Sequence, residues 1–131
     1  MADLDHNCLN HYGLSERLEK TIQKIMAYQM QNNNFDPYAG RKLHHHLYEA
    51  GMVVIKSDLR PHHLIYGELS DLDRWHRWQK IELAGKRSGW TFDDYAGGYE
   101  EFVEEFKVFF TSPQRFTYTP IIISRGLKPE G

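Results

Sequence analysis

The sequence predicts a mixed α/β fold of α+β arrangement, with a small sheet of two to three strands packed against about four helices. Three observations carry this expectation. Apolar residues from Leu18 to Met30 recur at steps of three and four, the mark of a one-faced helix. A second helical stretch closes at Gly51 and runs straight into Met52-Val53-Val54-Ile55, a helix–glycine–strand unit of the kind layered α/β proteins use. An aromatic helical stretch over 99–111 is followed by a second β-branched run ending in Ile121-Ile122-Ile123.

Taken in order, residues 1–13 read as irregular or as the tail of a strand, because Asp3, Asp5, Asn7 and Asn10 favour turns. Ser15 can cap a helix to about Asn32, with Leu18, Ile22, Ile25, Met26 and Met30 on one face. Glu16 and Lys20 sit one turn apart on its outside, with the acid at the end where the helix dipole favours it. The run Asn32-Asn33-Asn34 ends it. For the next helix Asp36 suits the N-cap, Pro37 the first turn and Gly51 the position after the last turn. Leu43, Leu47 and Ala50 form its stripe. The β-branched run after Gly51 then predicts a buried strand, which residues 58–69 could extend if Pro61 lies at an edge or bulge.

Ser70 can cap a helix through about Ala84 that Gly85 would end. Its Leu72, Trp75, Trp78 and Ile81 are spaced by threes, so their stripe drifts around the axis. Residues 85–98 are glycine-rich and predict a loop with a partial turn. Over 99–111, Tyr99, Phe102, Val103, Phe106, Phe109 and Phe110 form one broad face while Glu100, Glu101, Glu104 and Glu105 point away. The run Phe116–Ile123 predicts a strand, too apolar at its end for a wetted face and therefore central in the sheet. Pro120 argues against a central place because it donates no ladder hydrogen bond. A bulge, or an entry at the strand's start, reconciles the two.

Composition narrows the function classes. A chain of 131 residues that is 40% hydrophobic and 14% aromatic is expected to fold as a single domain around a core. Sixteen basic and eighteen acidic residues give a formal charge of -2, and the basic ones form no stripe that could follow a phosphate backbone, so nucleic acid is not expected as a partner. No apolar run approaches the roughly 20 residues that cross a bilayer, and no signal-peptide pattern opens the chain. One cysteine, Cys8, forms no internal disulfide. The expectation is a cytoplasmic protein without a membrane partner.

Several constellations carry chemistry on paper. Histidines occur as His44-His45-His46, as His62-His63 and singly. Consecutive helical residues point about 100° apart and cannot converge on an ion, and His62 and His63 would face opposite sides of an extended strand. No thiolate stands at ligand spacing, so no metal site is expected. Cys8 lies near His6 and His11 but in no nucleophile signature, and a small buried residue is the plainer reading. Asp3 and Asp5 share a face if extended and could hold a ligand hydroxyl or a base, or else serve turn chemistry. Trp75, Trp78, Trp90, Tyr95, Tyr99 and Phe102 surround the glycine-rich stretch; such aromatics make a core, a wall for a flat or apolar small molecule, or an oligomer interface.

The segment Asp36-Pro37-Tyr38-Ala39-Gly40-Arg41-Lys42-Leu43, followed by Leu47-Tyr48-Glu49-Ala50-Gly51-Met52, resembles the helix and strand that class I S-adenosylmethionine-dependent methyltransferases carry after their catalytic core. Ala2-Asp3-Leu4-Asp5-His6-Asn7 resembles the end of that fold's fifth strand, and Phe116–Pro129 is similar to its last strand and tail. The resemblance covers nearly the whole chain in the family's order and implies the carboxy-terminal part of a Rossmann-like methyltransferase fold. It implies that Asp3, Asp5 and His6 lie at the substrate end of the sheet and that Arg41 is the motif's arginine, for which a structural ion pair is the alternative. It implies that 57–112 is a variable helical insertion that closes over substrate, with Trp75, Trp90, Tyr95 and Tyr99 as candidate wall.

The family binds its cofactor on a glycine-rich turn after the first strand, and Gly97-Gly98 follows no predicted strand. No cofactor is therefore expected on this chain, and S-adenosylmethionine only if an amino-terminal half is supplied. The resemblance further implies a chain unable to methylate alone, which pairs with itself or with a separate methyltransferase half to cover its sheet. The competing expectation is a non-enzymatic small-molecule-binding or dimerisation module built on the same half-fold.

Overall fold

A computed structural model describes residues 1–5 and 10–131, with the side chain of Ala84 left out. It is mixed α/β: strands β1 (Ala2–Leu4) and β2 (His11–Tyr12), helices α1 (Glu16–Asn32) and α2 (Ala39–Glu49), strand β3 (Val53–Tyr66), helices α3 (Asp71–Ile81) and α4 (Gly98–Thr111), and strand β4 (Phe116–Leu127). Among the described residues four strands form one sheet, where two or three were expected, because two short strands rather than one pair with successive stretches of β4. In β1, Ala2 faces Ile123 and Leu4 faces Ile121; in β2, His11 faces Thr117 and Tyr12 faces Phe116, both antiparallel. Strand β3 pairs with β4 as well, so β4 is central, as its isoleucines predict.

Pro120 fits this central strand for a specific reason. Its carbonyl accepts from the Asp5 amide at 3.2 Å, so the amide it lacks would point to the same edge. That edge is where the ladder changes register between Ile121 and Thr117. The proline thus falls where a ladder bond is not required.

The chain divides into two compact units. The first comprises 1–10, 36–64 and 118–131. Here α2 lies on β1, with Leu43 and Leu47 buried beneath it. Asp36, expected at the N-cap, lies two residues before the observed cap Tyr38 and accepts from its amide at 2.9 Å. At the other end the Gly51 amide bonds Tyr48 and the Met52 amide bonds Leu47, a Schellman closure with Gly51 at φ +77°. The strand after it is not buried as expected: Val53 and Val54 are 43% and 62% exposed. Strand β3 has β4 on one side, and Val54 takes a left-handed φ of 52°, which breaks the alternation at its start.

The second unit comprises 11–35 and 65–117. Ser15 caps α1 through the Leu18 amide, and Leu18, Thr21, Ile22, Ile25 and Met26 are buried. Ser70 caps α3 in the same manner through the Asp73 amide. The buried face of α3 is Arg77 and Ile81, while Leu72 and Trp75 of the expected stripe are 66% and 55% exposed. Gly85 does not end the helix, which widens into a π-turn over Glu82–Lys86. A Cβ on Gly85 would lie 3.0 Å from the Tyr99 ring and 3.3 Å from Phe92, so this glycine serves close packing. The core is the α4 face, where Phe102, Phe106, Phe109 and Phe110 contact one another edge-on or tilted.

Candidate functional site

The residues singled out from the sequence fall into both units. In the first, Asp5 and Arg41 meet. The Arg41 Nε and Nη2 donate to the two Asp5 carboxylate oxygens, each at 2.9 Å, and the Arg41 amide donates to the same carboxylate at 3.2 Å. This two-pronged contact is the geometry a guanidinium makes with a carboxylate, and it holds the Arg41 charge more firmly than usual. The guanidinium also lies over the Tyr38 ring at 4.7 Å. Gly40 makes the contact geometrically feasible. A Cβ there would sit 2.9 Å from the Asp3 carbonyl oxygen and 3.0 Å from that of Leu4, so only glycine lets α2 approach the end of β1 this closely. Asp3 does not share this cluster; its carboxylate accepts from the Leu4 amide at 2.8 Å. His6 and Cys8 lie outside the described residues.

The four aromatic candidates do not form one wall. Tyr95 is buried under the Arg17 guanidinium, 4.1 Å from its ring, and burial with the neighbouring Glu105 pushes its hydroxyl up to about 12. Tyr99, half-buried, meets Phe92 edge-on and Phe102 at a tilt. Trp90 packs edge-on against Tyr28. Trp75 alone borders an open groove of about 400 Å³, together with Arg74, Trp78, Lys107, Phe110 and Thr111. Trp75, Trp78 and Phe110 give it apolar walls, and Arg74 and Lys107 at its edge are ion-paired with Glu68 and Glu104.

No known family model matches this chain, and no curated protein does either.

A further cluster escaped the sequence reading. Arg115 is 2% exposed and Thr117 1%, side by side on alternate residues of the β4 approach. Arg115 Nη2 and His11 Nδ1 both meet the Thr117 hydroxyl, and Arg115 Nη1 donates to the Gly67 carbonyl at 3.1 Å. The guanidinium covers the Phe109 ring at 5.0 Å, and His11 meets the same ring edge-on at 5.7 Å. Burial, followed by the positive charges of Arg77, Arg115 and Lys80, drives the His11 pKa down to about 3. The imidazole is therefore neutral at neutral pH. The one available signal was Arg115 and Thr117 at alternating strand spacing.

The histidine runs gather no ligand set. Among the described residues no three His, Cys, Asp or Glu side chains are placed to hold a metal ion. His62 and His63, expected on opposite sides of the strand, lean together with ring centroids 4.4 Å apart. Among the same residues no helix is long and apolar enough to cross a membrane.

Proposed function

We propose that this chain is the carboxy-terminal, substrate-side region of a class I S-adenosylmethionine-dependent methyltransferase, its sheet being part of a Rossmann-like fold. The observation that carries the reading is the grip of Arg41 on Asp5. The segment resembling the family's post-catalytic helix supplies Gly40 and Arg41; the segment resembling the end of its fifth strand supplies Asp5. Two segments that each resemble the family are thus joined through Asp5, Gly40 and Arg41. The sheet adds support, since β1, β3 and β4, the three strands of the resemblance, are neighbours around β4.

In this role Arg41 is a positioning residue that sets the end of β1 through Asp5, and Asp3 stays available to a ligand hydroxyl. In this reading the variable insertion expected at 57–112 begins within β3, which runs to Tyr66, and the Trp75 groove is its candidate surface for an apolar acceptor. The cofactor's adenosyl and methionyl groups need a backbone cradle after a strand, whereas Gly97-Gly98 opens α4 after a loop. In this reading methyl transfer requires a cofactor-binding half beyond these 131 residues.

Calorimetric titration of the purified chain with S-adenosylmethionine tests this. No binding alone, with methyl transfer restored on adding an amino-terminal methyltransferase half, is the expected result; saturable binding at one site per chain would overturn it.

One observation favours a second reading, a self-associating module without enzymatic activity. Val53, Val54, Leu59 and Leu64 stand exposed along β3, and exposed apolar strands invite pairing with a second copy. Light scattering decides between them: a stable dimer indifferent to the amino-terminal half supports the module.

A further inference from the structure

A guanidinium removed from water needs either a carboxylate or a full set of hydrogen bonds. Arg115 has neither. It makes no ion pair among the described residues, its Nη atoms reach a carbonyl and a hydroxyl, and its Nε is buried without a hydrogen-bond acceptor. The acid whose charge acts on it, Asp73, forms no ion pair with it and is itself bonded to Ser70. Arg77, buried on the facing side of α3, adds positive potential rather than relieving it. The cluster is thus a fixed positive centre, held by two neutral acceptors and backed by the Phe109 ring, with no carboxylate paired to it among the described residues.

We infer that Arg115, with His11 and Thr117 beside it and Arg77 behind, forms a binding site for an oxyanion, the carboxylate or phosphate of a small ligand. Each member has a role that the geometry gives it. Arg115 Nε is the donor that awaits the oxyanion. Thr117 holds the guanidinium and the imidazole in fixed orientation through one hydroxyl. His11 spends Nδ1 on Thr117 and keeps Nε2 for the ligand; it is the least buried of the four, which marks the side of entry. Phe109 beneath both keeps water from the cationic face and so strengthens any charge pairing there.

Thermal unfolding and calorimetry of the full chain in sodium phosphate and in sodium acetate, each against sodium chloride at equal ionic strength, test the site. A saturable rise in Tm and one binding site per chain with phosphate, acetate or both is the expected result. Phosphate alone identifies a phosphoryl ligand, and acetate alone a carboxylate. Arg115→Lys keeps the charge but removes Nε and should weaken binding at least tenfold. His11→Asn leaves the native charge unchanged and should weaken it severalfold, which keeps the test decisive should the Arg115 variant fail to fold. Shifts no larger than chloride's, or binding indifferent to His11→Asn, would overturn the inference.

Discussion

Gly40→Ala reverses the usual sign of a helical glycine replacement. In an unhindered helix, alanine stabilises by about 1 kcal/mol over glycine, less near the first turn. Here the new Cβ would stand 2.9 Å from the Asp3 carbonyl oxygen, 2.9 Å from Ile122 Cγ1 and 3.0 Å from the Leu4 carbonyl oxygen. Two of these three atoms belong to backbone that is locked in the β1–β4 ladder, so they cannot swing aside. Either α2 lifts or the strand shifts, and overpacking of this kind costs about 1–3 kcal/mol. The net expectation is a loss of about 1–2 kcal/mol, or a fall in Tm of roughly 4–8 °C for a domain of this size. Circular dichroism of thermal and urea unfolding reads it directly. Adding Ile122→Ala should relieve only part of the coupling between the two sites, because both carbonyls remain. A Gly40→Ala protein as stable as the parent, or more so, would refute the close approach of α2 to β1.

Two further outcomes follow from buried groups. His11 has a native pKa near 3 against 6.5 unfolded, so between these values the unfolded chain binds the extra proton. Stability should therefore rise with pH across that window and fall as the medium is acidified, by at most about 5 kcal/mol. Urea unfolding at pH 7 and pH 4 should show a smaller drop for His11→Asn than for the parent; equal drops would rule out a neutral buried imidazole. Phe102 is 2% exposed and meets Phe92, Tyr95, Tyr99 and Phe106, so Phe102→Ala should cost about 3–5 kcal/mol and abolish the aromatic near-ultraviolet signal of the second unit. An intact signal would mean that the ring cluster does not hold that core.

Local chemistry was legible in the sequence and tertiary choice was not. Ser15, Ser70 and Gly51 announce their helix ends because a cap is decided within a few residues. The isoleucines of β4 announce a central strand for the same reason. Val53 and Val54 mislead, since the same β-branched residues suit an exposed strand as well as a buried one. The tryptophans of α3 mislead because hydrophobicity alone does not say which face turns inward; Arg77 and Ile81 take the buried side. Asp5 and Arg41 were each singled out, but their meeting spans 36 residues and no periodicity encodes it. Nothing local announces Arg115, because its burial depends on Gly67 and His11, 48 and 104 residues away, as well as on the nearer Phe109.

The π-turn at Glu82–Lys86 has a consequence for how this chain tolerates insertions and deletions. A π-turn holds one residue more than the α-turn it replaces. Removing a single residue from 82–86 would let α3 continue as regular helix, which improves local geometry. The residues that remain of 82–86 would then turn by the α-helical 100° each and take new positions around the axis. Gly85, which must sit against Tyr99 and Phe92, would be carried away from the rings it accommodates. The locally irregular version is therefore the one compatible with the core, and a deletion that repairs the helix should be selected against more strongly than one in the loop that follows.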